Sequence, residues 1–321
     1  MLQIYPELVK KLKLMNENLQ HFYQYSSDNK MIIRQKLIES EAEIRQIERF
    51  STNSLKIWLK GNEVAAVDGS VNQTKSEPPH ILYLFQALAK TISGQACQAT
   101  DIYSPLIDEV NMDELEGGIQ KNWRSHLLAK LELQVALQLI EESSLAIIMM
   151  DGALFHYRID APLEWEKLKR KAIEKDVLLV GVSEEITTEN LVKLEPFQSF
   201  RKQPYTYDRD LLFGVLEKGE MLFVESIQSK AGLQSVWVRL STDPAITGFD
   251  VLEEQATSKE EIASLLLTLT PSGGRGIPLW LDHIDREVRV TDKLVEALVE
   301  QYIEPEMRKR FFEKKRGARP L

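Results

Sequence analysis

Two apolar runs, Leu145–Met150 (LAIIMM) and Val177–Val182 (VLLVGV), constrain the fold most tightly. Each is strand length and carries no polar face, so each predicts a strand buried on both sides. Between them Ala161–Lys175 is charged and helix-length, with Pro162 placed for a first turn. This is a strand–helix–strand unit. Upstream, Glu63–Asp68 (EVAAVD), His80–Leu88 (HILYLFQAL) and Gln95–Tyr103 predict three strands, followed by a helix over 112–142. Downstream, Met221–Ser226, Ser235–Leu240 and Ala245–Leu252 predict further strands. Thr257–Leu269 predicts a helix capped by Ser258, with Glu261 completing a capping box. Helices are expected after Pro278 and Thr291, and Thr270–Ile277 (TPSGGRGI) reads as a loop inside the fold. The order of elements predicts a mixed α/β chain with a partly antiparallel sheet flanked by helices. At the N-terminus Leu8, Leu12, Met15 and Leu19, then Ile33, Leu37, Ile44 and Ile47, recur at helical spacing, broken at Ser26–Asn29. The expected organisation is a helical arm over 1–54, a main domain over 55–305 ending in C-terminal helices, and a basic tail over 306–321.

Composition removes several classes of function. With 43% apolar residues in 321, the chain can bury a sizeable core. The single cysteine, Cys97, cannot form an internal disulfide or a cysteine zinc cluster, and it fits a reducing, cytoplasmic setting. No apolar run approaches the ~18 residues of a membrane span, and the charged N-terminus lacks a signal-peptide core. There is no GxxxxGK[ST] loop, no HExxH and no GxSxG, and His21, His80, His126 and His156 show no paired metal spacing. The net charge of −9 argues against a uniformly basic nucleic-acid binder. That charge is unevenly spread, however: residues 1–60 carry +3, residues 306–321 carry +5, and the middle carries −17. The tail interleaves Arg308, Lys309, Arg310, Lys314, Lys315, Arg316 and Arg319 with Phe311 and Phe312. Such a pattern suits phosphate neutralisation and base stacking, or only a solvated end.

Three acids stand out within the acidic middle. AVDGS and MMDGA each carry an apolar strand into an Asp–Gly pair, at Asp68 and Asp151. A carboxylate directly after buried apolar residues is costly unless paired, hydrogen-bonded or metal-bound, although a single Asp–Gly also serves as a plain turn. Glu132 lies four after Leu128 and three before Val135, at the edge of the apolar stripe of its helix. Clustered carboxylates repel and call for cations, and hard oxygen donors select Mg²⁺ or Mn²⁺. Asp, helix Glu and Asp across a mixed sheet is the arrangement expected of ribonuclease H-like nucleases.

These motifs resemble the NurA family, nucleases that act with the HerA DNA translocase in end resection. The resemblance spans roughly residues 60–305. It rests on AVDGS, the Arg124–Glu132 helix, IIMMDGAL with Asp151 nineteen positions after Glu132, DRDLLFGVLEKGE (Asp208–Glu220), and a following strand ending WVRLS. It implies a ribonuclease H-like, homodimeric, Mn²⁺-dependent 5′→3′ exonuclease with single-strand endonuclease activity. The implied substrate is single-stranded DNA and duplex ends, and the implied partner a HerA-like hexameric ATPase. Asp68, Glu132 and Asp151 become the metal-binding acids. The family's C-terminal motif maps to GIPLWLDHIDREVRV. Anchored on Pro278 it selects Asp285; anchored on histidine it selects His283. Asp285 is preferred, because it borders the apolar face between Leu281 and Val288. Two positions depart from the family pattern: Ile277 replaces a Tyr, and Glu184 stands near an expected Lys, leaving Arg275, Lys202 or Arg201 to hold phosphate. A non-catalytic or weakly active subunit of a HerA/FtsK-like ATPase, and a ribonuclease on the same fold, are the competing readings.

Overall fold

The chain enters its sheet earlier than the sequence predicts. The computed structural model describes residues 5–27, 30–107, 123–202 and 207–312. Helices α1 (Pro6–Ser27) and α2 (Lys30–Glu39) match the predicted arm, but Glu43–Gln46, read as helical in the sequence, is strand β1. It pairs antiparallel with β7 (Glu220–Phe223) and covers the backbone edge that strand exposes. Arg34 of α2 forks onto Glu220 at 2.7 and 2.9 Å, which ties the arm to the body. Tertiary pairing has overridden a helical spacing of only two isoleucines. Helix α3 (Thr52–Leu59) then leads into β2 (Glu63–Gln73), β3 (Tyr83–Thr91), β4 (Ala96–Tyr103), α4 (Trp123–Glu142), β5 (Leu145–Asp151), α5 (Leu154–Asp160), α6 (Pro162–Glu174) and β6 (Leu178–Ser183). After α7 (Asp208–Leu212) and β7 come α8 (Glu225–Gln228), β8 (Ser229–Lys230), β9 (Leu233–Val238), β10 (Thr247–Leu252), α9 (Lys259–Leu269), α10 (Leu279–Val288), α11 (Asp292–Tyr302) and α12 (Pro305–Met307).

The described strands form one sheet in the order β1-β7-β9-β10-β6-β5-β2-β3-β4, with β8 beside β9. β2 pairs antiparallel with β3, and β3 with β4. β2–β5 and β5–β6 are parallel. An antiparallel meander whose first strand is joined to two parallel strands is the ribonuclease H-like arrangement. The apolar runs behave as their composition requires: Ile147, Ile148, Met149 and Met150 are fully buried. Each contributes roughly 1.5–3 kcal/mol by leaving water, which offsets the cost of acids held nearby. Alternate residues of β2 and β5 serve the two faces. Ala65, Val67, Ile148 and Met150 pack with α4, α5 and α6. Val64, Ala66, Ile147 and Met149 pack with α9 and α10.

Two local expectations differ. Ser258 makes no side-chain cap, because α9 continues directly from a 3₁₀ turn over Glu253–Ser258, and Glu261 accepts from the Trp58 indole N–H at 2.8 Å. Thr291 does cap α11, accepting from Leu294 N–H. In the tail, Phe311 stacks on His80 at 5.4 Å and Phe312 packs near Val295 and Val299. Lys314, Lys315, Arg316 and Arg319, residues 112–122 of the expected long helix, the break at Asp28–Asn29, and the Lys202 side chain lie outside the described residues. Among the described residues, no helix is long and apolar enough to cross a membrane.

Candidate metal centre

Strand register builds the site. Val67 is level with Met150, so the next residues, Asp68 and Asp151, lie side by side on neighbouring parallel strands; their backbones are therefore roughly 5 Å apart. Strand alternation turns both toward the face covered by α10, which carries Asp285. That helix is pinned to the sheet by Trp280 Nε1 donating to the Lys90 carbonyl (3.1 Å), and the residues just beyond it by Val290 N donating to Ser70 Oγ (3.0 Å). Glu132 arrives from the opposite face, on α4, and is only 6% exposed.

Asp68 does not end its strand, as the sequence suggested. β2 continues to Gln73 because β3 pairs with it along its length. Gly69 is therefore not a turn residue. A Cβ there would fall 2.3 Å from Glu132 Oε1 and 2.8 Å from Leu128 Cδ1. The glycine is the gap through which the helix carboxylate reaches the strand. At Asp151 the turn is real: Gly152 has φ +101°. Gly181 makes room for that turn, since a Cβ there would meet Gly152 O at 2.6 Å.

The electrostatics are those of acids held together without neutralisation. Burial, then the Asp151 charge, raises Asp68 to about 7, against a lowering hydrogen bond from Gly69 N–H. Burial raises Glu132 to about 8, with Asp68 and Asp151 adding to it. Burial, then Asp285 and Glu184, raise Asp151 to about 6, while Arg275 lowers it. Tyr157 is fully buried with its hydroxyl directed at Glu132, an interaction that opposes the rise in the Glu132 pKa. Asp68, Glu132 and Asp151 form no ion pair among the described residues, whereas Asp285 pairs with Arg289. His283 lies elsewhere: it is 53% exposed, stacks on Trp280 and faces Glu287. Asp285, not His283, interacts with Asp68 and Asp151.

No three of the described His, Cys, Asp or Glu side chains are drawn into a finished cage. The donor set nevertheless fits a hard divalent cation: it is oxygen-only, with Asp68 and Glu132 buried and Asp151 at the solvent edge, and raised in pKa by burial and then by mutual repulsion. The glycine gap and the buried Tyr157 phenol serve Glu132 specifically.

Arg275 is held by Glu184 at 3.0 Å and Asp282 at 2.6 Å, beside Asp151. Arg124 is engaged elsewhere, donating to Tyr83 Oη at 2.6 Å, and Arg201 donates to the Val192 carbonyl. The sequence reading passed over Asp250 and Tyr157. Asp250 accepts from Leu154 N (2.9 Å) and Ser235 Oγ (2.6 Å), anchoring the segment after Asp151. Its signal was a carboxylate inside the apolar run Ala245–Leu252, the same signal used at Asp68. Tyr157 had none, since a tyrosine on an amphipathic helix is ordinary. Asp208, in a quoted family motif, is structural: it accepts from Thr188 Oγ1 and the Leu191 N–H.

Residues 62–290 match the family model for the NurA domain. The crystal structure of the NurA nuclease from Sulfolobus solfataricus aligns over 93% of this chain and 96% of its own, with TM-score 0.59 and 15% identity. A second NurA crystal structure aligns over 95% and 99%, with TM-score 0.49 and 12% identity. The catalytic domain of human endonuclease V aligns over 89% and 97%, with TM-score 0.38 and 14% identity. No curated protein sequence matches the chain.

Proposed function

This chain belongs to the NurA family, and on that footing we propose that it is a divalent-metal-dependent deoxyribonuclease. In this reading it is a 5′→3′ exonuclease and single-strand endonuclease. It acts as a cytoplasmic homodimer with a HerA-like hexameric ATPase on the ends of broken DNA. The observation that carries the reading is the level placement of Asp68 and Asp151 on β2 and β5, with Glu132 entering over Gly69 and Asp285 facing them from α10.

Two Mn²⁺ or Mg²⁺ ions, when bound, supply Lewis acidity for in-line displacement at phosphorus. Asp68, central to the cluster, would help hold both; Asp151 would help hold one, and Glu132 or Asp285 the other. Gly69 and the Tyr157 phenol orient Glu132 over the strand. Arg275, steadied by Glu184 and Asp282, takes the phosphate-holding role that the family pattern gives to a Lys near Glu184. The partner surface is supported by α1, whose Leu8, Leu12, Met15 and Leu19 are 41–61% exposed at heptad-like spacing.

The test is Mn²⁺-dependent degradation of a 5′-labelled single strand. We expect D151N to lose at least about 10²-fold in rate, as removal of one charge-stabilising group does; wild-type rate in D151N would remove Asp151 from the site. D285N is expected to lose more activity than H283A, and the reverse order would transfer the fourth position to His283. Two observations favour a weakly active subunit as the second reading: the Asp285–Arg289 ion pair and Glu184 in place of a Lys. That reading predicts stimulation of the ATPase by a chain with no cleavage in Mn²⁺ or Mg²⁺.

A further inference from the structure

The ion pair on Asp285 brings to the acids a cation that has no task in the mechanism above. Arg289 pairs with Asp285 four residues earlier on α10 and keeps 57% of its side chain exposed. Its backbone is fixed to the sheet. The next residue, Val290, donates its N–H to Ser70 Oγ at 3.0 Å, and its carbonyl accepts from Asn72 Nδ2 at 2.9 Å. Asp68, Ser70 and Asn72 alternate along β2, so all three face α10. Ser70 lies about 7 Å along the strand from Asp68 at the usual rise per residue. Arg289 thus combines an anchored main chain beside the acids with a long, accessible side chain. Burial, then Asp151, raise the Asp68 pKa, and Arg289 is the side-chain charge that lowers it.

The Asp151 side of the site has a matching cation. Burial raises Asp151, and the side-chain charge that lowers it is Arg275. Arg275 precedes α10 and Arg289 ends it, so ten helical residues, about 15 Å of rise, lie between the two positions. The two guanidinium groups are held differently. Arg275 has two carboxylate partners, Glu184 and Asp282, whereas Arg289 has one ion pair among the described residues. An exposed pair four residues apart on a helix is weakly held. Its acid, Asp285, is also one that the cluster offers to a divalent cation, so the cation and Arg289 compete for the same carboxylate. A guanidinium that gives up its carboxylate presents a fork of N–H donors matched to phosphate.

We propose that Arg289 is a phosphate-binding residue on the Asp68 side of the site, freed from Asp285 when a divalent cation takes that carboxylate. The proposal rests on the nuclease reading above, which places a nucleic-acid strand over these acids. Arg275 and Arg289 then hold phosphates on either side of the one being cut. The strand is gripped fully only once Arg289 has given up Asp285, which couples strand binding to metal binding. On this proposal the Asp285–Arg289 pair is a resting contact of an active site, not the mark of a silent one.

The experiment compares the full chain with its R289Q and R289K variants by two readouts. Calorimetric titration with Mn²⁺, without nucleic acid, is expected to give R289Q an affinity about 2–5-fold above wild type, the scale of one exposed ion pair. Anisotropy of a dye-labelled single-stranded DNA 12-mer in Ca²⁺ is expected to show R289Q binding about 10-fold more weakly, the scale of one charge-assisted contact. Its slope of log affinity against log salt should be shallower by about 0.7, one phosphate contact. In EDTA the two proteins should bind alike. A neutral methylphosphonate linkage walked along the strand should weaken wild-type binding at one position where R289Q loses nothing further. R289K, which keeps the charge, should keep the salt slope, and losing it would overturn the phosphate contact. Unchanged strand affinity and slope in R289Q overturn the proposal and leave Arg289 a helix-surface ion pair. Weaker Mn²⁺ binding together with weaker strand binding makes Arg289 only a prop for Asp285 and overturns it too. An equal strand loss in EDTA and in Ca²⁺ overturns the release from Asp285. No Mn²⁺ binding or no strand binding by wild type overturns both this proposal and the nuclease reading. Normal Mn²⁺-dependent cleavage by R289Q with unchanged strand binding overturns the proposal alone. Both expected shifts in a chain that does not cleave overturn the nuclease activity alone.

Discussion

Replacing Asp68 with Asn, or Glu132 with Gln, is expected to abolish cleavage and at the same time stabilise the metal-free protein. The activity loss is expected to be about 10³-fold or more, several kcal/mol of charge stabilisation at roughly 1.4 kcal/mol per decade. The stability gain follows from the raised pKa values, about 7 for Asp68 and about 8 for Glu132, both caused chiefly by burial. A carboxyl group whose folded pKa lies above its unfolded value holds its proton in the native state longer than in the unfolded one. Stability is then greatest below the unfolded pKa, near 4, and declines as pH rises toward 8. The neutral isosteres carry no such dependence. The melting-temperature advantage of E132Q over wild type should therefore be small at pH 5 and reach several degrees by pH 8, on the order of a few kcal/mol. Mn²⁺ should raise the melting temperature of wild type and much less that of either variant. A wild-type melting temperature that rises relative to E132Q with pH would contradict the burial of an uncompensated acid.

Replacing Gly69 with Ala is expected to have the second largest effect, without touching any charge. The added methyl would lie 2.3 Å from Glu132 Oε1 and 2.8 Å from Leu128 Cδ1, so the carboxylate must withdraw. Overpacking of this kind destabilises by about 1–3 kcal/mol. Misplacing one group in a two-ion site by an ångström costs about 10²-fold in rate. The variant should fold, retain its circular dichroism, and show a weakened Mn²⁺-dependent thermal shift. Wild-type cleavage by G69A would mean that Glu132 need not reach the strand, and would remove it from the constellation.

The acids and the interior strands were legible for one reason. A carboxylate beside uniformly apolar residues contradicts its neighbours, and LAIIMM and VLLVGV have no polar face to give to water. The function of Gly69 was not legible, because a sequence cannot distinguish a glycine that turns the chain from one that admits a neighbour. Pairing with β3 decides this, and that pairing is set by residues 83–91. β1 was lost to a helical spacing for a similar reason: four residues have too little intrinsic preference to resist pairing with an open strand edge. The Asp285 and His283 alternatives, two residues apart on one helix, could be separated only by the way α10 sits on the sheet.

The sequence by itself determined the class of the fold, the central strands and the residue types able to gather a hard cation, because burial and charge are properties each residue carries with it. Only the tertiary structure decided which acids meet and which glycine makes room for Glu132. Those are distances between segments up to 220 residues apart, fixed by strand register and helix packing rather than by any local pattern.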